Sequence, residues 1–223
     1  MELIEAIRGR HSVRAYTDAP IEPEKKKILE TKVAELNAAG KLHLQLVFDE
    51  PQAFSGFLSH YSKFSGVRNY VAVIGEDSDS LNERCGYYGE QLVLLAEQLG
   101  LNSCWVGLTY SKVNSAYEIA KGEKLVVVIA LGYGAKKGVP HKSKKPEDVS
   151  EADEPAAWFS AGVEAALLAP TAINQQKFKF VKQGNSVSAK IVRGLFNSYA
   201  KIDLGIAKFH FEVGAGKENF NWA

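Results

Sequence analysis

The chain has 223 residues, 46% hydrophobic and 24% charged, with 27 Lys and Arg against 26 Asp and Glu. These proportions exclude a disordered polymer and leave enough apolar material for one sizeable core or two closely packed halves. A formal charge of +1 and a pI near 7.7 supply no broad basic face, so nucleic-acid and anionic-membrane binding are not expected and any anion site must be local.

Leu3, Ile4 and Ile7 share one face of a short helix that stops at the basic turn Arg8-Gly9-Arg10-His11-Ser12-Val13-Arg14. Pro23 and its flanking acids, Glu22 and Glu24, mark the start of a second helix, because free N–H groups in a first turn favour both. That helix is predicted to run to about Asn37 and end near Gly40. Leu42, Leu44, Leu46 and Phe48 alternate with His43, Gln45 and Val47, which predicts a strand over 42–48. Residues 50–68, rich in Ser, Phe and Gly, read as a surface excursion or lid. The apolar run Tyr70–Ile74 predicts a strand covered on both faces. Leu92, Leu95, Ala96 and Leu99 lie opposite Glu90, Gln91, Glu97 and Gln98, the pattern of an amphipathic helix, and Gly100 stops it. Ser103 to Gly107 opens a new segment, and Leu125 to Leu131 reads as a buried β-branched strand.

Residues 134–153 are rich in Gly, Lys, Pro and acids and mark the best internal boundary. A helix from about Pro155 to Leu168 follows, then a loop through Pro170 and a short strand carrying Phe178 and Phe180. Residues 203–213 fit both periods; Ile202, Ile206, Phe209 and Val213 on one helical face favour a helix. A weak echo relates the halves 1–133 and 154–223. Each has a helix, a strand (42–48; 178–182) and a glycine-containing segment that ends near a tryptophan (Gly89 to Trp105; Gly205 to Trp222). The expected architecture is a sheet covered by helices, α/β or α+β, in one domain of two pseudo-repeated halves.

Cys85 and Cys104 provide neither a disulfide framework nor a four-sulfur zinc site. No apolar run approaches a membrane span. Met1-Glu2-Leu3-Ile4-Glu5 lacks a signal-like apolar region, so the expected location is cytoplasmic.

Four segments carry candidate chemistry. Arg10, Ser12 and Arg14 can surround a phosphate with forked donors and a hydroxyl, although an isolated basic turn of this kind also occurs as a solvated surface. Lys142 and Lys144 repeat every second residue and would point one way from extended chain; the plain alternative is a solvated loop. The run Ala169 to Phe178 offers the Thr171 hydroxyl and the Asn174 amide to a planar ligand, or Asn174 merely caps a turn. In Gly100 to Gly107 the last glycine lets backbone approach a ligand, or the segment is a tight turn between core elements.

Together these segments resemble the nitroreductase family of flavin-dependent oxidoreductases. Arg10, His11, Ser12, Arg14 and Tyr16 match its R-[RH]-S-x-R-x-[FY] start. Ala169, Pro170, Asn174 and Gln176 match A-P-S-x-x-N-x-Q, with Thr171 for Ser and Lys177-Phe178 for the usual Pro-Trp. Gly100–Gly107 resembles the turn that closes a family helix, and Lys142, Ser143, Lys144 and Pro146 match K-S-[RK]-x-P. The A-P-[ST]-x-x-N motif lies in the second half here, where most of the family has it in the first quarter, as in a smaller two-part branch of nitroreductases.

The resemblance implies an α+β nitroreductase-like fold with a mixed or antiparallel central sheet flanked by helices. It also implies FMN as cofactor, NAD(P)H and a small aromatic acceptor such as a nitroaromatic or quinone as partners, and a homodimer. Arg10, His11, Ser12 and Arg14 would contact the flavin and Lys142 and Lys144 its phosphate. The Val106-Gly107 backbone would lie near N5, and Pro170, Thr171 and Asn174 would come in from the same or a partner subunit. No side chain need be catalytic, since the flavin carries the redox chemistry and water or tyrosine hydroxyls supply protons. His11 is a flavin contact or a local scaffold. His43, His60, His141 and His210 lack metal-ligand spacing, so no metal is expected. Phe54, Phe57, Tyr61 and Phe64 would roof the flavin or form a satellite cluster under the excursion. A flavin-binding protein without catalysis, and another flavin chemistry such as dehalogenation or flavin cleavage, are the alternatives the same residues allow.

Overall fold

The computed structural model describes residues 1–56, 62–192 and 199–223. The first half carries α1 (Leu3–Gly9), α2 (Pro23–Gly40), β1 (Gln45–Val47), β2 (Asn69–Glu76), α3 (Leu81–Gln98), β3 (Asn102–Val106) and β4 (Glu123–Gly132). The second carries α4 (Pro146–Val149), β5 (Ser150–Ala152), α5 (Ala157–Ala166), β6 (Phe178–Gln183), β7 (Ser186–Ile191), α6 (Ala200–Ala215) and β8 (Asn221–Trp222).

The strands form two four-stranded sheets, ordered β1-β2-β4-β3 and β5-β6-β7-β8. The first is antiparallel throughout. The second is mixed, with β5 parallel to β6, β6 antiparallel to β7, and β7 parallel to β8. Every residue of β2 except Glu76 is buried, as the apolar run predicts for a strand covered on both faces. Leu29 and Leu36 of α2, Leu92 and Val93 of α3, Phe178 and Phe180 of β6 and Phe211 of α6 belong to one continuous core, so the halves share their interior.

The closest helix pair is α3 on α6. An added Cβ at Gly86 would overlap the Ile202 carbonyl oxygen, and one at Gly205 would overlap that of Glu83. The contacts are reciprocal. One sequence offset relates Gly86 to Gly205, Glu83 to Ile202 and Tyr87 to Ile206, the residues that meet on the two sides. Beside this crossing, His210 Nε2 lies 2.9 Å from Glu90 Oε1, with both side chains fully buried. Nδ1 of the same ring faces the Ala165 carbonyl at 3.2 Å, and Trp105 Nε1 donates to the other Glu90 oxygen at 2.8 Å. Acceptors on both sides of the imidazole require the Glu90–His210 pair to hold a proton between them, which satisfies the seam.

Several expectations need correction. The strand at 42–48 shrinks to Gln45–Val47, because Asn37 clamps the backbone N–H and carbonyl of Leu44 from α2 and takes them out of a ladder. The helix marked by Leu92 to Leu99 begins at Leu81; Gly86 and Gly89 hide its first turns from a hydrophobic pattern by seating α6 and Trp105. The 134–153 boundary is not bare connection, since it holds α4 and β5, and β5 adds to the second sheet. β7 and β8 went unpredicted. The ambiguous stretch 203–213 is helical. Phe54 and Phe64 are core: their rings pack 5.3 Å apart beside Tyr70. Phe57, His60 and Tyr61 lie outside the described residues.

Candidate cofactor-binding site

The basic turn leaves α1 as extended chain laced into the first sheet. Val13 N–H donates to the Ser103 carbonyl at 3.0 Å, Thr17 N–H to that of Tyr133 at 2.8 Å, and Ala135 N–H to that of Ala15 at 2.8 Å. Arg10 to Tyr16 therefore run between β3 and the exit of β4. This brings the turn alongside the strand that ends in Val106 and Gly107, and delivers the chain leaving β4 back onto it. Gly138 sits on His11 so closely that an added Cβ would overlap the histidine's own. Three residues later comes His141.

Arg10 is only 5% exposed. Its Nη2 makes one long contact, 3.5 Å, to Ser12 Oγ, and its Nε has no partner among the described residues. Both ring nitrogens of His141 are also buried without partners. Burial, then the charge of Arg10, then that of His141 hold the His11 pKa below its ordinary value. Arg14 is exposed, its carbonyl tied to Ser65 N–H at 3.0 Å.

The segment after His141 is zipped to the loop after α5. Gln176, 1% exposed, donates from Nε2 to the Lys142 carbonyl at 2.9 Å and accepts from Lys144 N–H at 2.8 Å. Asn174 donates to the same Lys142 carbonyl at 2.8 Å and accepts from Gln176 Nε2 at 2.8 Å. Lys144 turns its Nζ to the Gln176 carbonyl, 2.8 Å away, and Lys142 is exposed. Thr171 Oγ1 accepts from Gln176 N–H at 3.1 Å, and Pro170 is buried where the chain enters the loop. Ile173, Asn174 and Gln176 all have positive φ (49°, 55° and 45°), a conformation held by this hydrogen-bond net rather than by glycine.

Asp203 anchors the loop from α6. Its two oxygens accept from Ala172 N–H and Gln175 Nε2, each at 3.0 Å. Burial pushes its carboxyl up to about 6 against the pull of those donors and of Lys177. Val106 is buried, and a Cβ at Gly107 would come within 2.6 Å of the Tyr199 ring, so that ring covers the end of β3. Burial keeps the Tyr199 phenol pKa high.

Three of the four segments thus form one unbroken chain of contacts: the basic turn, the His141–Lys144 strip and the Thr171–Gln176 loop. β3 joins them near its start, through the Val13–Ser103 hydrogen bond. His141, Gln176, Asp203 and Tyr199 are parts of this site that were not singled out as site residues from sequence. For Gln176 the signal was present, since it closes the A-P-T-x-x-N-x-Q run. The donor set, the unmet Nε of Arg10 and the two unmet ring nitrogens of His141 with the His11 imidazole nearby, fits an anion rich in oxygens such as a phosphate ester. A hollow of about 470 Å³ opens at the Tyr16 end of the basic turn, lined by Tyr16, Phe54, Phe64 and Arg68 among others, and Arg10, His11, His141 and Gln176 are not in its lining. Among the described residues there is no cluster of three potential metal ligands and no helix long and apolar enough to cross a membrane.

The family profile described as "Putative TM nitroreductase" matches residues 2–215. Among solved structures, a "putative nitroreductase" of Thermotoga maritima shares 23% identity over 98% of this chain and 85% of its own, with a TM-score of 0.68. A Desulfovibrio desulfuricans relative, also titled putative nitroreductase and crystallised with FMN, shares 20% identity over 69% of this chain and 98% of its own, TM-score 0.53. A Bacteroides thetaiotaomicron protein titled putative NADH dehydrogenase/NAD(P)H nitroreductase shares 21% over 66% and 95%, TM-score 0.53. At these identities the structures speak for the fold. No curated protein matches the sequence significantly.

Proposed function

The chain belongs to that nitroreductase family, and from that premise we propose that it is an FMN-dependent oxidoreductase that takes hydride from NAD(P)H and passes electrons to a small aromatic acceptor, a nitroaromatic or quinone. The observation that carries the reading is the meeting of Arg10 with His11 and His141, the Arg10 Nε and both His141 ring nitrogens unmet, beside a strip that Gln176 and Asn174 fasten to the Thr171 loop. Bound there, FMN would supply the two-electron chemistry.

The chain's own residues do the rest. Arg10 and Ser12 offer donors to the phosphate, with the exposed cations of Arg14 and Lys142 near the mouth. The Val106-Gly107 backbone offers close approach to the ring system. Pro170 and Thr171 shape the far wall, and Asn174 braces it, since its amide is spent on Lys142 and Gln176. Lys144 braces through its Nζ as well. The Tyr199 phenol, neutral through burial, is a proton source beside Gly107.

The same reading covers the two halves. The first half brings the basic turn and the second the Thr171 loop, so one chain assembles one site. The reciprocal Gly86 and Gly205 contacts support treating 1–133 and 154–223 as pseudo-repeats joined by 134–153. Further support comes from Trp105 donating to Glu90 and Trp222 to Glu212, one tryptophan to one buried helix glutamate in each half.

Reconstitution with FMN followed by anaerobic mixing with NADH and with NADPH tests the proposal. One flavin per chain, bleached by a nicotinamide donor and reoxidised by a quinone, is expected. Flavin that binds and does not bleach would leave a flavin carrier, and no binding would end the reading.

A further inference from the structure

We propose that His11 and His141 form, with Arg10, a proton-linked phosphate pocket, in which the two imidazoles take up a proton as the flavin's terminal phosphate binds. This deepens the flavin reading and rests on it.

His141 is the residue that neither motif nor spacing marks. Both its ring nitrogens are buried and unmet in a residue that is itself only partly buried, and the buried Nε of Arg10 is unmet in the same neighbourhood. A folded chain rarely leaves such groups orphaned unless an ion or ligand completes them. Gly138, pressed on His11, folds the strip directly over that ring. The charged groups facing the pair are few. Arg10 acts on both His11 and Glu97, and Glu97, its carboxyl raised by burial and lowered by Arg10, is the acid on that side. Arg14 faces Cys104 and Tyr16, and the Lys144 ammonium is held at the Gln176 carbonyl.

The chemistry follows from hydrogen-bond roles. A phosphate dianion offers acceptors only, whereas a neutral imidazole presents one N–H and one lone pair. Without the anion, burial and neighbouring positive charge favour neutral His11. With the anion present, two negative charges reverse that balance, and the ring nitrogen that lacked a proton gains one to donate. By linkage, a ligand that binds the protonated form more tightly gains affinity as pH falls. The phosphate's own second ionisation, near about 6, sets the lower end of the useful window.

The test measures dissociation constants for FMN and riboflavin at pH 8.5, 7.5 and 6.5, with the wild-type chain and with His141→Gln. Riboflavin shares the ring and lacks the phosphate. FMN affinity should rise roughly three- to tenfold per pH unit of acidification, while riboflavin changes less than about twofold. His141→Gln should weaken FMN at pH 6.5 by about tenfold or more, flatten its slope and leave riboflavin unchanged, which also reports that the variant folds. Calorimetry of FMN binding to the wild-type chain in two buffers of different ionisation enthalpy should show net proton uptake. Equal pH slopes for the two flavins, no proton uptake, or an unchanged slope in the variant would overturn this pocket while leaving the flavin reading standing. If neither flavin binds, both fall together.

Discussion

The two walls of the site are built on opposite terms. On the Arg10–His11–His141 side, buried nitrogens stand without partners. On the Thr171–Gln176 side nearly every polar group is engaged: Gln176 and Asn174 hold the Lys142 carbonyl, Asp203 holds Ala172 and Gln175, and among that loop's buried side-chain atoms only the Gln175 amide oxygen is unmet. The difference separates recognition from scaffolding. Unmet donors gain from a ligand the bond that the fold withholds, and met ones hold a strained loop in place before any ligand arrives.

The contrast is sharpest under mutation. Gln176→Ala removes two hydrogen bonds that join the strip to the loop and a third within the loop, and leaves residues 173–174 in left-handed backbone without their brace. A loss of about 3 kcal/mol in unfolding free energy is expected, read by urea denaturation of the flavin-free chain. Arg10→Met should behave in the opposite way. Stability of the flavin-free chain should stay within about 1 kcal/mol, because the guanidinium makes one long contact. FMN affinity should drop by a charge-assisted bond, about 1.5–3 kcal/mol, or roughly ten- to 150-fold. If Arg10→Met destabilises the chain as much as Gln176→Ala does, the walls are not different in kind.

That division explains which parts of the site could be read from sequence. The Arg10–Arg14 turn was legible because its groups sit within five residues on one extended stretch. Gln176 was visible as a motif residue, but its role was opaque, since it meets Lys142 34 positions away in the chain and local periodicity carries no record of that meeting. The sheet was more legible. The apolar runs of β2 and β4 announce themselves, whereas β7 is short, and the alternation of Val187, Ala189 and Ile191 with Ser186, Ser188 and Lys190 was there to be read and was passed over. The Gly184-Asn185 turn between β6 and β7 was a second cue. The first turns of α3 were lost because Gly86 and Gly89 answer to neighbours across the seam rather than to the helix's own face.

Asp203 provides a smaller test, and one in pH. Its carboxyl titrates at about 6 in the folded chain against an ordinary value of 3.8. A carboxyl raised on folding contributes stability that is fully present below about pH 4 and is lost as pH rises through about 6. Asp203→Asn abolishes that titration, at a pH-independent cost for one lost acceptor at Ala172 or Gln175. Wild type should therefore lose about 2 kcal/mol relative to the variant between pH 4 and pH 7, measured by urea denaturation at several pH values. A constant gap would mean that the loop's anchor is an ordinary, solvated carboxylate and that this wall is less buried than its hydrogen bonds imply.

The smallest expected effect lies between the walls, at Gly107. A methyl group there would stand 2.6 Å from Tyr199 Cζ, well inside ordinary carbon contact, so the ring must retreat. Because the ring ends a rotatable side chain, Gly107→Ala should cost only about 1 kcal/mol. The cost should vanish in a Tyr199→Ala background, giving a coupling energy of about the same size in a double-mutant cycle. A penalty that persists without the ring would place the need for glycine on another side of the β3 terminus. The three atoms nearest that methyl in the flavin-free chain all belong to Tyr199, so a penalty that grows on adding FMN to the Tyr199→Ala background would identify the flavin itself as a further neighbour.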